Sequence, residues 1–170
     1  MLTLRYADVN DFTYIAQTQR DPSILDYVSA STKEEFITAI NDPDQAYLLA
    51  VRPENVPENV RENIPVGFAY LRRLKRPERS IELCRLAISE RNKGYGSQFL
   101  KLIMTEAFGP LDANRLWLDV FPENDRARQV YQKCGMVEEG TLRDVYFWKG
   151  EFRSTIIMSI LAREYQAELR

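Results

Sequence analysis

Histidine is absent from this 170-residue chain. That absence excludes Ser-His-Asp and Cys-His catalytic devices and any imidazole metal centre built from the chain alone, leaving carboxylates, tyrosine, lysine, backbone amides or a cofactor to do chemistry. Cysteine is scarce. Cys84 and Cys134 stand far apart with no CxxC pair, so neither a zinc site nor a disulfide framework is supported; each reads as a small buried hydrophobe, and no metal is expected. Long apolar runs are missing too. YLLAV at 47–51 is far short of the roughly 20 residues that span a bilayer, and Met1 leads into LTLRYA without the charged, then apolar, pattern of a leader. The expectation is a cytoplasmic protein without a membrane partner. Nor does one charge dominate: Lys+Arg total 23 against 25 Asp+Glu, a net charge of -2, so no general field draws the chain to nucleic acid. The densest basic run, RRLKRPER at 72–79, has no interleaved aromatics and reads as a solvated turn.

Against these absences, 45% of the residues are hydrophobic, enough for one domain over 1–170 with a real core. The patterning predicts a strand at 2–6, then a helix capped by Asp8 with Val9, Phe12, Ile15 and Ala16 inward. A second helix follows a loop at 21–27, capped by Ser31 or Thr32, with Phe36, Ile37 and Ile40 inward. A short strand at 47–51 precedes RPENVPENVRENIP, an exposed proline-rich loop at 52–65. Strands at 66–71 and 80–88 flank the basic turn. Phe99, Leu100, Ile103, Met104 and Ala107 recur at helical spacing over 97–108, up to Gly109-Pro110. A strand at 115–121, a helix at 124–134 stopped by Gly135, and a hairpin of 141–148 with 152–161 turning at Lys149-Gly150 complete the chain. A strand, crossover helix and strand around residues 80–121 require a parallel pair, and the rest of the sheet can be antiparallel, giving a mixed α/β sandwich.

Glycine is also sparing, seven in all, yet two stand one residue apart in RNKGYGS at 91–97. Paired glycines before a helix bring main-chain amides close to an anion. The spacing fits neither GxxxxGK[ST] nor GxGxxG. It does fit R/Q-x-x-G-x-G/A: Arg91, Asn92, Lys93, Gly94, Tyr95 and Gly96 match that pattern, and the stretch resembles the pyrophosphate-binding loop of the GNAT superfamily of acetyl-CoA-dependent N-acetyltransferases. Downstream, PENDRARQVYQKCGM resembles the family's N-x-x-A-x-x-x-Y-x-x-x-G through Asn124, Ala127, Tyr131 and Gly135. The resemblance covers essentially 2–161, and the ending GTLRDVYFWKGEFRSTIIMSIL is most similar to the ribosomal-protein alanine and spermidine acetyltransferase branches.

The resemblance implies a mostly antiparallel seven-stranded sheet with a splayed parallel central pair and helices on both faces. It implies acetyl-CoA as co-substrate, a primary amine on a small molecule or protein N-terminus as acceptor, and a possible homodimer. Amides of residues 92–97 at the head of the 97–108 helix would hold the diphosphate. Arg91 and Lys93 either add charge or are solvated; Ser97 both caps the helix and offers its hydroxyl. Main-chain groups of Leu86, Ala87 and Ile88 would pair with the pantetheine arm. Asn124 would hydrogen-bond that arm, and Arg128 is either near the adenosine phosphate or solvated.

The amine must be neutral to attack, and at pH 7 a group of pKa near 10.4 is so in only about one molecule in 2,500. Glu82 stands where some family members carry a general base. On a regular strand residues 82, 84, 86 and 88 share a face, so apolar neighbours would raise the Glu82 carboxyl toward a useful value, acting directly or through water. Tyr131 would be the acid facing the departing thiolate. Tyr146, Phe147 and Trp148 either wall the acceptor pocket with the 21–27 loop or serve as core or a dimer contact, and Asp26 and Asp144 would be attractors of a cation. The alternative is a non-catalytic acyl-CoA-binding sensor or structural module of the same fold.

Overall fold

Apolar side chains on both faces of the central strands force helices onto both sides of one sheet. The computed structural model describes residues 1–22, 24, 30–53 and 63–168. Its strands are β1 (Thr3–Tyr6), β2 (Gln45–Pro53), β3 (Asn63–Arg72), β4 (Ser80–Ile88), β5 (Arg115–Val120), β6 (Val137–Trp148) and β7 (Glu151–Leu161). They form one seven-stranded sheet in the order β1-β2-β3-β4-β5-β7-β6, antiparallel except for β4 and β5. Helices α1 (Phe12–Gln19) and α2 (Lys33–Asn41) precede β2, α3 (Tyr95–Phe108) crosses from β4 to β5, α4 (Asp125–Lys133) follows β5, and α5 (Ala162–Glu168) closes the chain. The mixed architecture expected from the sequence is the one found.

Two cores result. On one face Phe99, Leu100, Ile103 and Met104 of α3 pack with Leu71, Leu83, Leu116 and Met158. On the other, Ile15, Phe36, Tyr47, Leu49 and Phe68 gather beneath α1 and α2. Each large side chain removed from water this way stabilises the fold by roughly 2 kcal/mol.

Several local expectations need correction. Asp8 caps a 3-10 turn at Val9–Asp11, accepting from the Asn10 N–H at 2.8 Å, and α1 begins only at Phe12; Val9 is therefore exposed. Thr32 is the cap of α2, in a reciprocal box with Glu35, and Ile37 points outward while Phe36 and Ala39 are buried. The proline-rich stretch is shorter than 52–65. Arg52 pairs with Ile64 and Pro53 with Asn63, extending the β2–β3 ladder into it, and residues 54–62 lie outside the described residues. Among the described residues no helix is long and apolar enough to cross a membrane.

Candidate active site

The β4–β5 ladder has three pairs only: Ser80 with Arg115, Ile81 with Leu116 and Glu82 with Trp117. Beyond them β4 runs to Ile88 and β5 to Val120 without pairing, so the sheet opens into a V. A cleft of about 210 Å³ lies in this opening, walled by residues that include Arg85, Leu86, Asp119, Tyr131, Tyr146 and Trp148. A second cleft, of about 600 Å³, runs over Leu86, Ala87 and Ile88, past Arg91, Asn92 and residues 94–97, to Asn124 and Tyr131. Leu86, Asn124, Ala127 and Tyr131 belong to both walls. Tyr131 thus stands where the two clefts meet.

The glycine loop has backbone angles that suit an anion. Gly94 caps α3 at φ 71, and Asn92 at φ 62 also takes the left-handed conformation, so successive peptide N–H groups turn to one side. The first N–H groups of α3, on Tyr95, Gly96 and Ser97, have no helical carbonyl to bond. A β-carbon on Gly96 would meet only Val130 Cγ1, at an ordinary 3.9 Å, so the chain's own packing does not demand glycine there. Gly96 lines the larger cleft, so a side chain there would project beside it. Because α3 starts at Tyr95, Ser97 is its third residue and not its cap, which leaves it to face the cleft from the first turn.

Three expected site residues are turned elsewhere. Lys93 donates to Glu90 at 2.6 Å; that ammonium, with Arg52 behind it, holds the Glu90 carboxyl below its usual range, and Lys93 does not line the cleft. Arg128 donates to Glu138 at 2.8 Å and to the Pro122 carbonyl at 3.1 Å, also outside both walls. Besides Arg91, Arg126 brings a guanidinium to the border of the larger cleft, where its Nη2 donates to Asn92 Oδ1 at 3.1 Å. Helical spacing from Asn124 pointed to Arg128; the ion pair with β6 draws that side chain away.

Glu82 is the third. The β3–β4 register runs Tyr70 with Arg85 and then Leu71 with Leu83, leaving Cys84 as the extra residue of a bulge. The bulge reverses the alternation, so Leu86 and Ile88 join Leu83 on the α3 face, whereas Glu82 shares its face with Ala87. Residues 82, 84, 86 and 88 therefore do not share one face. Arg72 Nη2 donates to Glu82 at 2.8 Å, and Glu82 is absent from both walls. Among the described residues, the carboxylate in the wall of the smaller cleft is Asp119, which sequence reasoning passed over; its only signal was an acid near the end of the otherwise apolar RLWLDVF.

Burial, with the nearby Asp119 carboxylate, pushes the Tyr131 phenol above its ordinary value, and the same two causes raise Tyr146. Burial, then Glu82, pushes the Cys84 thiol up to about 12. Asn124 caps α4, its side-chain oxygen accepting from the Ala127 N–H at 3.2 Å while the residue borders both clefts. Tyr146 and Trp148 line the smaller cleft, but Phe147 faces the opposite side, packed on Phe152 and 66% exposed. Asp144 is exposed at φ 53 and takes no part, and Asp26 and Tyr27 lie outside the described residues. Among the described residues no group of three or more Cys, Asp or Glu could hold a metal.

A family model described as an acetyltransferase (GNAT) domain matches residues 1–137. The chain belongs to the GNAT acetyltransferases. Over 169 residues it is 25% identical to the spermidine N(1)-acetyltransferase of Vibrio cholerae, covering 96% of this chain and 95% of that one. It is 28% identical to the Escherichia coli K12 enzyme of the same name, over 97% and 88% of the two chains. The crystal structure of the Vibrio cholerae spermidine N-acetyltransferase with CoA and spermine superposes with a TM-score of 0.80, at 24% identity over 97% of this chain and 98% of that one. This GNAT protein is an acetyl-CoA-dependent N-acetyltransferase, with acetyl-CoA as its co-substrate.

Proposed function

We propose that this acetyltransferase acetylates a primary amine, whether polyamine, protein N-terminus or other small amine, by direct attack within a ternary complex. The observation that carries the reading is the meeting of the two clefts at Tyr131. Bound acetyl-CoA supplies an activated acyl carbon; the chain holds it and manages protons. The N–H groups heading α3, with Arg91 and Arg126 beside them, hold the diphosphate. Residues 86–88, released from β5, present their main-chain edge to the pantetheine arm as a strand would, with Asn124 across from them.

The amine docks in the smaller cleft, and Asp119, not Glu82, takes its proton, because among the described residues Asp119 is the carboxylate in that wall while Glu82 is spoken for by Arg72. Tyr131 faces the departing sulfur. A phenol raised above its ordinary value keeps its proton beside a thiol of pKa near 8.5, so Tyr131 stabilises the thiolate by hydrogen bonding more than by proton transfer. Cys84 does not intercept the acetyl group: with its thiol near 12, only about one molecule in 100,000 is thiolate at pH 7. This supports direct attack over an acyl-enzyme route.

The homodimer expected from the sequence would have Val137, Phe147 and Phe152 of β6–β7 as the exposed apolar face to cover. The function is tested by thiol release from acetyl-CoA across a panel of amines, beside thermal stabilisation by CoA. Stabilisation without acceleration by any amine would favour the acyl-CoA sensor instead.

A further inference from the structure

The wall of the larger cleft contains three carboxylates, Glu90, Glu123 and Asp125, although the same wall holds the amides at the head of α3 that suit an anion. A carboxylate left bare there would repel a diphosphate. Each has a cation at hand from outside that wall. Glu90 has Lys93 and Arg52, Asp125 has Arg128 at 3.4 Å and is itself 77% exposed to screening water, and Glu123 has Arg153. Arg153 also reaches a residue of the smaller cleft.

Arg153 sits on β7 opposite Tyr146 in the β6–β7 ladder, half-buried. Its guanidinium lies over the Phe121 ring, 4.1 Å from the centroid, and pairs with Glu123 as well. The Tyr146 ring meets the same Phe121 edge-on, at 6.0 Å. Phe121 and Tyr146 line the smaller cleft and Glu123 lines the larger one, whereas Arg153 lines neither. One side chain behind both walls thus holds the short corner between β5 and α4. That corner ends at Asn124, which caps α4 and borders both clefts. A guanidinium suits such a place because its flat face stacks on a ring while its edge donates to a carboxylate; an ammonium has the charge without the plane.

We propose that Arg153 is a positioning residue for both substrates: it neutralises Glu123 in the wall that the cofactor meets and fixes Phe121 against Tyr146 in the wall that the amine meets. This rests on the acetyl-transfer reading above and adds to it a residue outside both clefts. Loss of the guanidinium then has two consequences of different kinds. The Glu123 charge is set free toward the cofactor, an electrostatic defect that salt weakens and that removing the carboxylate itself cures. The Phe121 ring loses its backing, a packing defect felt by the amine that neither remedy cures.

The test reads two quantities in the full chain: the rise in melting temperature produced by a fixed concentration of CoA, and the KM values for acetyl-CoA and for the fastest amine of the panel. Arg153→Leu is expected to raise the KM for acetyl-CoA about threefold to tenfold at low salt and to shrink the rise produced by CoA. Adding Glu123→Gln should restore both while the KM for the amine stays raised, a non-additivity that simple loss of stability does not produce. Arg153→Lys keeps a charge beside Glu123, so its response to CoA should stay near that of the wild type while its KM for the amine rises several-fold; it serves if Arg153→Leu fails to fold. A double variant no better than Arg153→Leu, or an amine KM unchanged in Arg153→Lys, overturns the proposal while acetyl transfer stands. Absence of turnover with every amine in the wild type overturns both.

Discussion

Arg72 and Glu82 face each other across β3 and β4, joined at 2.8 Å, with the Glu82 side chain only 15% exposed. The pair occupies the carboxylate that the family resemblance marked as the base. Asp119→Asn is therefore expected to lower kcat/KM by about a hundredfold, in the range of a lost general base. Glu82→Gln should cost much less, and an equal or larger loss would return the proton to Glu82. Steady-state rates of the two variants on one amine decide it.

Tyr131 makes the second prediction. Tyr131→Phe keeps the buried ring but removes the hydroxyl at the junction of the clefts. Loss of one donor to a developing anion is expected to reduce kcat about a hundredfold with little change in the KM for acetyl-CoA. If kcat is unchanged on a good amine, the role is wrong.

The two loop glycines should separate in a melting experiment. At Gly94, φ 71 strains any residue with a β-carbon, so Gly94→Ala is expected to lose about 1 kcal/mol of stability. Gly96 is helical, and a β-carbon there meets only Val130 at 3.9 Å, so Gly96→Ala should be neutral or stabilising by about 0.5 kcal/mol. Its β-carbon enters the cofactor cleft, however, and CoA should then raise the melting temperature less than in the wild type. Undiminished stabilisation by CoA would place the diphosphate elsewhere.

The acid side of the stability curve should bear the mark of Glu139. Arg115 Nη2 donates to it at 2.6 Å and Ser159 Oγ at 2.7 Å, and with Arg115 the larger cause its carboxyl is held down to about 2 from an ordinary 4.5. A carboxyl lowered in the folded state contributes stability that is fully present above pH 4.5 and is lost as pH falls toward 2. The carboxylate is 41% exposed, so solvent screening limits the effect to about 0.5–1 kcal/mol. Glu139→Gln should lower the melting temperature at pH 7 and flatten its dependence between pH 5 and 2; an unchanged acid slope would show the pair to be idle.

Local patterning made most of the fold legible. Phe99, Leu100, Ile103 and Met104 repeat at helical spacing and are buried together, and Gly135, at φ 86, ends α4 where its sequence position says it should. The glycine loop was legible for the same reason: a positive φ at the head of a helix is a property of a few consecutive residues. The 3-10 turn at Val9–Asp11 was not, because Asp8 caps either kind of helix equally well. Nor was α5, whose Tyr165 finds Phe108 across the fold at a ring distance of 5.0 Å.

By itself the sequence determined the order of elements, the open amides at the start of α3 and the seven-residue spacing that sets Asn124 and Tyr131 on one side of α4, since each depends on backbone geometry within a short span. Only the tertiary structure decided which charges line the clefts. One unpaired residue, Cys84, turns the end of β4 over, Arg72 reaches Glu82 from the neighbouring strand, and the parting of β4 from β5 exposes Asp119. Those outcomes depend on strand register and on partners distant in sequence, and neither is written in the local pattern.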